Sequence, residues 1–145
     1  MNWKKEAVSL LKDYSAKQEA MSSLKERYRM LDAEMKSLRA GQSDKIPLKG
    51  DLSRAQDRLI NSIAEKEQLK QNYAFVRQQL NWIDRGLSVL EPNERMVLEG
   101  FYISSGPRAK DDLMDALCIE RSALYELKDR ALRKFTMSMY GLLES

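Results

Sequence analysis

Between Arg121 and Lys134 the chain sets five basic residues, Arg121, Lys128, Arg130, Arg133 and Lys134, against two acids, Glu126 and Asp129. Cations at helical spacing suit phosphate groups, and Arg, Ser, Tyr and Glu side chains can meet the edges of bases. If Leu124, Leu127, Ala131 and Phe135 turn inward, then Ser122, Glu126, Asp129 and Arg133 turn outward, with Arg121 and Tyr125 at the flank. On that reading Arg121, Ser122, Tyr125 and Glu126 are candidate base readers: Arg121 for guanine or phosphate, Tyr125 for a thymine methyl or phosphate, Glu126 as an acceptor from cytosine. Lys128, Arg130, Arg133 and Lys134 lie further along the helix and, with Lys110, are the candidate phosphate contacts. The competing reading is a solvated helix face. On it Glu126 with Arg130, and Asp129 with Arg133, form acid-first i to i+4 pairs that stabilise a helix with no ligand.

Other chemistry has less support. Asp111, Asp112 and Asp115 stand about one turn apart and could be imagined sharing a cation, but acids in a first helical turn are favoured by the helix dipole alone. The chain has no histidine and one cysteine, which puts the usual zinc ligand sets out of reach. No glycine-rich phosphate loop of the GxxxxGK[ST] form occurs, and no Ser or Cys stands beside a candidate base. We expect neither an enzyme nor a resident metal or cofactor, and read Cys118 as a small packing residue.

The elements that must position these residues follow from periodicity. Leu113 and Leu117 are one turn apart on a short helix, Ile119 sits in a tight turn, and Leu124, Leu127, Ala131 and Phe135 follow at 3-4-4 spacing on a longer helix. That pattern predicts a helix-turn-helix whose second helix offers its outer face to a DNA major groove. The stretch IERSALYELKDRALRKF resembles the recognition helix of sigma factor region four, with its Ala131, Leu132, Arg133, Lys134 close. With NERMVLEGFYI upstream and MYG downstream it is similar to the small phage transcriptional regulators of the ArpU and RinA type, over about residues 90 to 141. Glu120 stands where family members carry a capping Ser or Thr. Arg121 matches a base-contacting position of region four, while Ser122, Tyr125 and Glu126 depart from its usual Glu, Arg and Gln. The resemblance implies a DNA-binding regulator of phage or prophage late genes, with double-stranded DNA as partner and RNA polymerase as a second candidate.

Upstream, Trp3, Ala7, Leu10, Tyr14, Lys17, Met21, Leu24, Tyr28, Leu31, Met35 and Leu38 keep a heptad seam, apolar but for Lys17. A second stripe runs through Leu52, Ala55, Leu59, Ile63, Leu69, Tyr73, Val76, Leu80, Ile83, Leu87 and Leu90. Between them GQSDKIPLKG, residues 41 to 50, holds Pro47 between two glycines and should end the first helix, with Asp51 capping the second. Two helices, about 3 to 40 and 51 to 91, would each run to roughly 55 to 60 Å. Equal lengths and a short loop predict an antiparallel coiled-coil hairpin over 1–91, followed by a helix-turn-helix domain over 92–145, so the fold class is all-α. Glycines and prolines at 86 to 92, 100 to 107 and 141 mark further breaks. Outside the seam, Phe75, Trp82 and Val89 recur every seven residues and predict an oligomerisation or docking stripe, which suits a homodimer on paired half-sites.

Composition sets wider bounds. The 145 residues are 43% hydrophobic and 32% charged, ordinary for a helix-rich globular chain. A net charge of +3 does not by itself argue for nucleic acid, and residues 93 to 145 carry eight Lys and Arg against nine Asp and Glu. No apolar run approaches the roughly 18 residues of a membrane span, and the start MNWKKEAVSL lacks a signal's apolar block, so a cytoplasmic location without membrane contact is expected. Two other classes fit the pattern. A small terminase subunit would assemble into a ring of many copies, and a coiled-coil adaptor would show no DNA affinity.

Overall fold

The computed structural model describes residues 1–43 and 49–144, and these are all-helical. Six α-helices follow one another: α1 (Trp3–Lys12), α2 (Tyr14–Ser43), α3 (Lys49–Ser88), α4 (Pro92–Leu98), α5 (Ala109–Leu117) and α6 (Arg121–Tyr140). A π-helical turn, Glu99–Ile103, extends α4. None of these helices is long and apolar enough to cross a membrane. Of the expected loop at 41–50, residues 41–43 belong to α2 and 49–50 to α3, while Pro47 lies outside the described residues, as do the side chains of Asp51 and Leu52.

Local chemistry explains most boundaries. Asn2 caps α1, its side-chain oxygen accepting from the backbone of Lys4 at 3.0 Å and Lys5 at 3.3 Å. The predicted first helix divides at Asp13, although the hydrogen bonds Asp13 N–H to Ser9 and Lys17 N–H to Asp13 carry the ladder across the junction. Pro92 opens α4 at the position where a missing N–H costs nothing, and Gly141 ends α6 at φ 73. Gly86, read from sequence as part of a break, lies inside α3 instead. It is buried, and a Cβ there would meet Met139 Sδ at 2.5 Å and Phe135 Cε2 at 2.8 Å. Its missing side chain is what lets α3 and α6 approach.

The chain forms two compact units, one of Met1–Gln18 with Gln78–Ser145, the other of Glu19–Arg77. In the first, Ala7 and Leu11 of α1, Ile83, Leu87 and Leu90 near the end of α3, Leu98 of α4 and Ala131, Leu132, Phe135 and Met139 of α6 share one core. Residues on both sides of position 91 therefore pack together. Phe135 is fully buried, and truncating such a side chain costs about 3 to 5 kcal/mol. A smaller core of Val97, Leu113 and Leu124, flanked by Phe101, Met114, Leu117, Ile119 and Leu127, ties α4, α5 and the first turns of α6.

In the second unit the seam of α2 faces α3. Arg27 meets Glu65 at 2.9 Å, while Lys66 donates to Asp32 at 2.6 Å and lies 4.8 Å from the centre of the Tyr28 ring. Ile63 does not belong to this seam: it is 46% exposed, whereas Ser62 is buried and Lys66 half-buried. The sequence stripe chose the apolar residue, but strict 3-4 steps from Leu59 to Leu69 pass through Ser62 and Lys66. Geometry prevails over hydropathy there because the Lys66 ammonium finds Asp32 and the Tyr28 ring.

Candidate nucleic-acid interface

The head of α6 is set by a reversal that one residue makes possible. Cys118 adopts the left-handed conformation, φ 54 and ψ 46, and is the only non-glycine among the described residues with positive φ. The chain then turns through Ile119, whose N–H donates to the Met114 carbonyl at 3.2 Å, and Glu120, extended at φ −82 and ψ 166, precedes α6. The Glu120 side chain makes no capping hydrogen bond. Its carboxylate can favour this helix end only through space. Leu124, Ala131 and Phe135 are buried and Leu127 is half-buried, so the opposite face of α6 is open.

Around the first turns of α6 three cations converge on two rings. Phe101, from the π-helical turn, meets Tyr125 edge to face with centroids 5.5 Å apart. Lys110, in the first turn of α5, donates to the Tyr125 hydroxyl at 3.0 Å and lies 5.3 Å from the Phe101 centroid. The Arg121 guanidinium lies 5.8 Å from the Tyr125 ring, and the Lys128 ammonium 5.6 Å from Tyr125 and 5.9 Å from Phe101. These are cation–π distances. Hydrogen bonding from Lys110, then from Arg121, lowers the Tyr125 phenol below its ordinary value. Among the described residues no carboxylate forms an ion pair with Lys110 or Arg121. Lys128 is different, being only 18% exposed and 2.7 Å from Asp129. Burial alone would lower its ammonium, but the Asp129 hydrogen bond and the neighbouring phenols raise it above the usual lysine value.

Of the candidate base readers, Arg121, Ser122 and Glu126 are exposed and Tyr125 is half-buried. The Glu126–Arg130 and Asp129–Arg133 pairs of the solvated-face reading do not occur among the ion pairs of the described residues, and Asp129 meets Lys128 instead. Arg130 and Arg133 are exposed further along α6, where with Lys134 they border a shallow groove floored by Val89 and Met137. Lys134 donates to the buried Glu94 carboxylate at 3.0 Å, which gives it a structural contact that the sequence did not suggest. Phe101 was missed as a site residue. In the sequence it stands only within NERMVLEGFYI, and no spacing rule links it to Tyr125.

The remaining sequence candidates are scattered. Asp111 and Asp112 occupy the first turn of α5, and among the described residues no metal-holding cluster of acids, Cys or His occurs. Of the stripe of Phe75, Trp82 and Val89, Phe75 is 61% and Val89 58% exposed, whereas Trp82 meets Tyr140 edge to face at 5.7 Å. Trp3 stacks on the same Tyr140 ring at 4.8 Å. No protein-family model, curated protein or solved structure matches the chain.

Proposed function

We propose that α4, α5 and α6 form a sigma-region-four-like helix-turn-helix that binds double-stranded DNA in a sequence-specific way, and that the protein is a transcriptional regulator of phage or prophage origin acting on late genes. The observation that carries this reading is the convergence of Lys110, Arg121 and Lys128 on Tyr125 at the head of α6. Two of those cations have no carboxylate partner among the described residues, beside an open face bearing Ser122 and Glu126. Such a cluster suits a phosphate at the rim of a major groove, while Arg121, one residue beyond the turn, reaches toward base edges. In this reading α2 and α3 are an antiparallel coiled-coil hairpin that presents the DNA-binding unit as part of a dimer.

Selection of bound sites from random DNA, followed by fluorescence anisotropy at several salt concentrations, tests it. Loss of a good base contact in Arg121→Ala should cost about 1 to 3 kcal/mol of discrimination. Loss of a phosphate contact in Lys110→Ala should weaken all sequences alike and reduce the salt slope by about one unit. A selected site bound equally well by wild type and Arg121→Ala, with the same preference over random sequence, would refute base reading by α6.

A further inference from the structure

Within Glu19–Arg77, Leu31 and Met35 are the only buried apolar side chains among the described residues. The rest of the seam is half-exposed, and a groove of about 300 Å³, lined by Leu24, Lys25, Tyr28, Leu69, Lys70 and Tyr73, stays open along it. Fixing the backbone of a residue costs about 1 to 2 kcal/mol, and two buried side chains do little against that over the described residues of this unit. This surface lacks a second layer.

The same side of α3 carries what would fill the groove. Ile63 lies one heptad before the groove residue Lys70 and is 46% exposed, and Ile60, 63% exposed, lies one heptad before Glu67. The knob is thus apolar and flanked by a carboxylate, whereas the groove is apolar and flanked by ammonium groups. We propose that residues 19–77 of two copies pack face to face about a two-fold axis crossing α3 between Glu67 and Lys70. At about 1.5 Å per residue, Ile63 then stands about 8 Å from the axis and Tyr73 about 7 Å on its other side, so each Ile63 meets the groove wall formed by the partner's Tyr73. Glu67 meets the partner's Lys70, and the contact repeats by symmetry. A self-complementary patch of this kind closes as a dimer rather than propagating. The proposal does not rest on DNA binding, and it moves the expected dimer contact away from Phe75, Trp82 and Val89.

Sedimentation equilibrium of the full chain at tens of micromolar reads it directly. Wild type should be dimeric. Ile63→Glu should raise the dissociation constant by about a hundredfold with unchanged far-ultraviolet circular dichroism, because the side chain is exposed in the single chain. Phe75→Glu should leave the dimer intact. Glu67→Lys and Lys70→Glu should each weaken association about tenfold by placing like charges across the axis, and an equimolar mixture of the two should restore it. Mixing leaves interactions within each chain unchanged, so the restoration isolates the contact between copies. A monomeric wild type, a dimeric Ile63→Glu, a monomeric Phe75→Glu, or a mixture no tighter than either variant alone would overturn the proposal.

Discussion

Lys134→Met should destabilise the unit formed by the two ends of the chain by about 1.5 to 3 kcal/mol, the usual worth of a hydrogen bond to a charged group. The Glu94 side chain is 5% exposed and its Oε1 accepts from both Lys134 Nζ and the Glu91 N–H, each at 3.0 Å. Without Lys134 a buried carboxylate keeps one donor. The expected loss stays below the 3 to 5 kcal/mol of a fully buried broken pair because Lys134 itself is half-exposed, about what solvent screening allows. Both tryptophans, Trp3 and Trp82, belong to this unit, so urea unfolding followed by their fluorescence reports it, with a midpoint shift on the order of 1 M. Burial pushes the Glu94 carboxyl up, but the Glu91 N–H and Lys134 together hold it below its ordinary value of 4.5. A carboxyl depressed by folding contributes stability above its unfolded value and loses it as pH falls through the folded one. The gap between wild type and Lys134→Met should therefore be full at neutral pH and shrink below about pH 4.5. A change under about 0.5 kcal/mol, or strict additivity of Glu94→Gln with Lys134→Met, would refute the pairing.

Three more outcomes are expected. Gly86→Ala should cost about 1 to 3 kcal/mol in the same fluorescence assay, because its methyl would enter the Phe135 and Met139 contact; an unchanged midpoint would mean that α3 and α6 can separate freely. Cys118→Gly should stabilise by up to about 1 kcal/mol by relieving a left-handed β-carbon, and a loss of stability would contradict strain at the turn. The Tyr14 hydroxyl donates to Asp84 at 2.6 Å, and burial, then that bond, push its phenol up to about 12. A raised phenol contributes below its unfolded value of 10.0 and loses that contribution as pH rises toward 12, so Tyr14→Phe should abolish the latest step of an ultraviolet tyrosine titration.

The all-helical class was legible because apolar residues recur at helical spacing through most of the chain. The inward face of α6 was legible for the same reason: Leu124, Ala131 and Phe135 fall on one stripe and all are buried, Leu124 in the smaller core and the other two in the larger. Periodicity failed where a polar residue held a seam position. Ser62 and Lys66 looked like interruptions, and Ile63 was chosen in their place. It failed again at Gly86, since a glycine that lets two helices touch looks the same in sequence as one that ends a helix. The cationic cluster was half legible. Lys110, Arg121 and Lys128 could be chosen by charge and Tyr125 by position, but Phe101, the second ring beside Lys110 and Lys128, belongs to another element and is joined to Tyr125 only by tertiary packing. The Lys134–Glu94 pair spans forty residues, and no local rule reaches that far.

Asn2 forms a bridge with Glu144, and the Trp3 N–H donates to the Leu143 carbonyl at 3.0 Å. On the ribosome, this makes the first unit a late product of synthesis. Ala7 and Leu11 emerge early but find Ala131, Phe135 and Met139 only once α6 has left the exit tunnel. Until then α1 lacks its α6 partners, while residues 19–77 lie between them as contiguous chain. Closing a loop of that length costs about 3 to 4 kcal/mol beyond a constant, and prior folding of the inserted segment reduces this by shortening the effective loop. A nascent chain halted before Ala131 should therefore be cut readily by protease near α1, and extension through α6 should protect it.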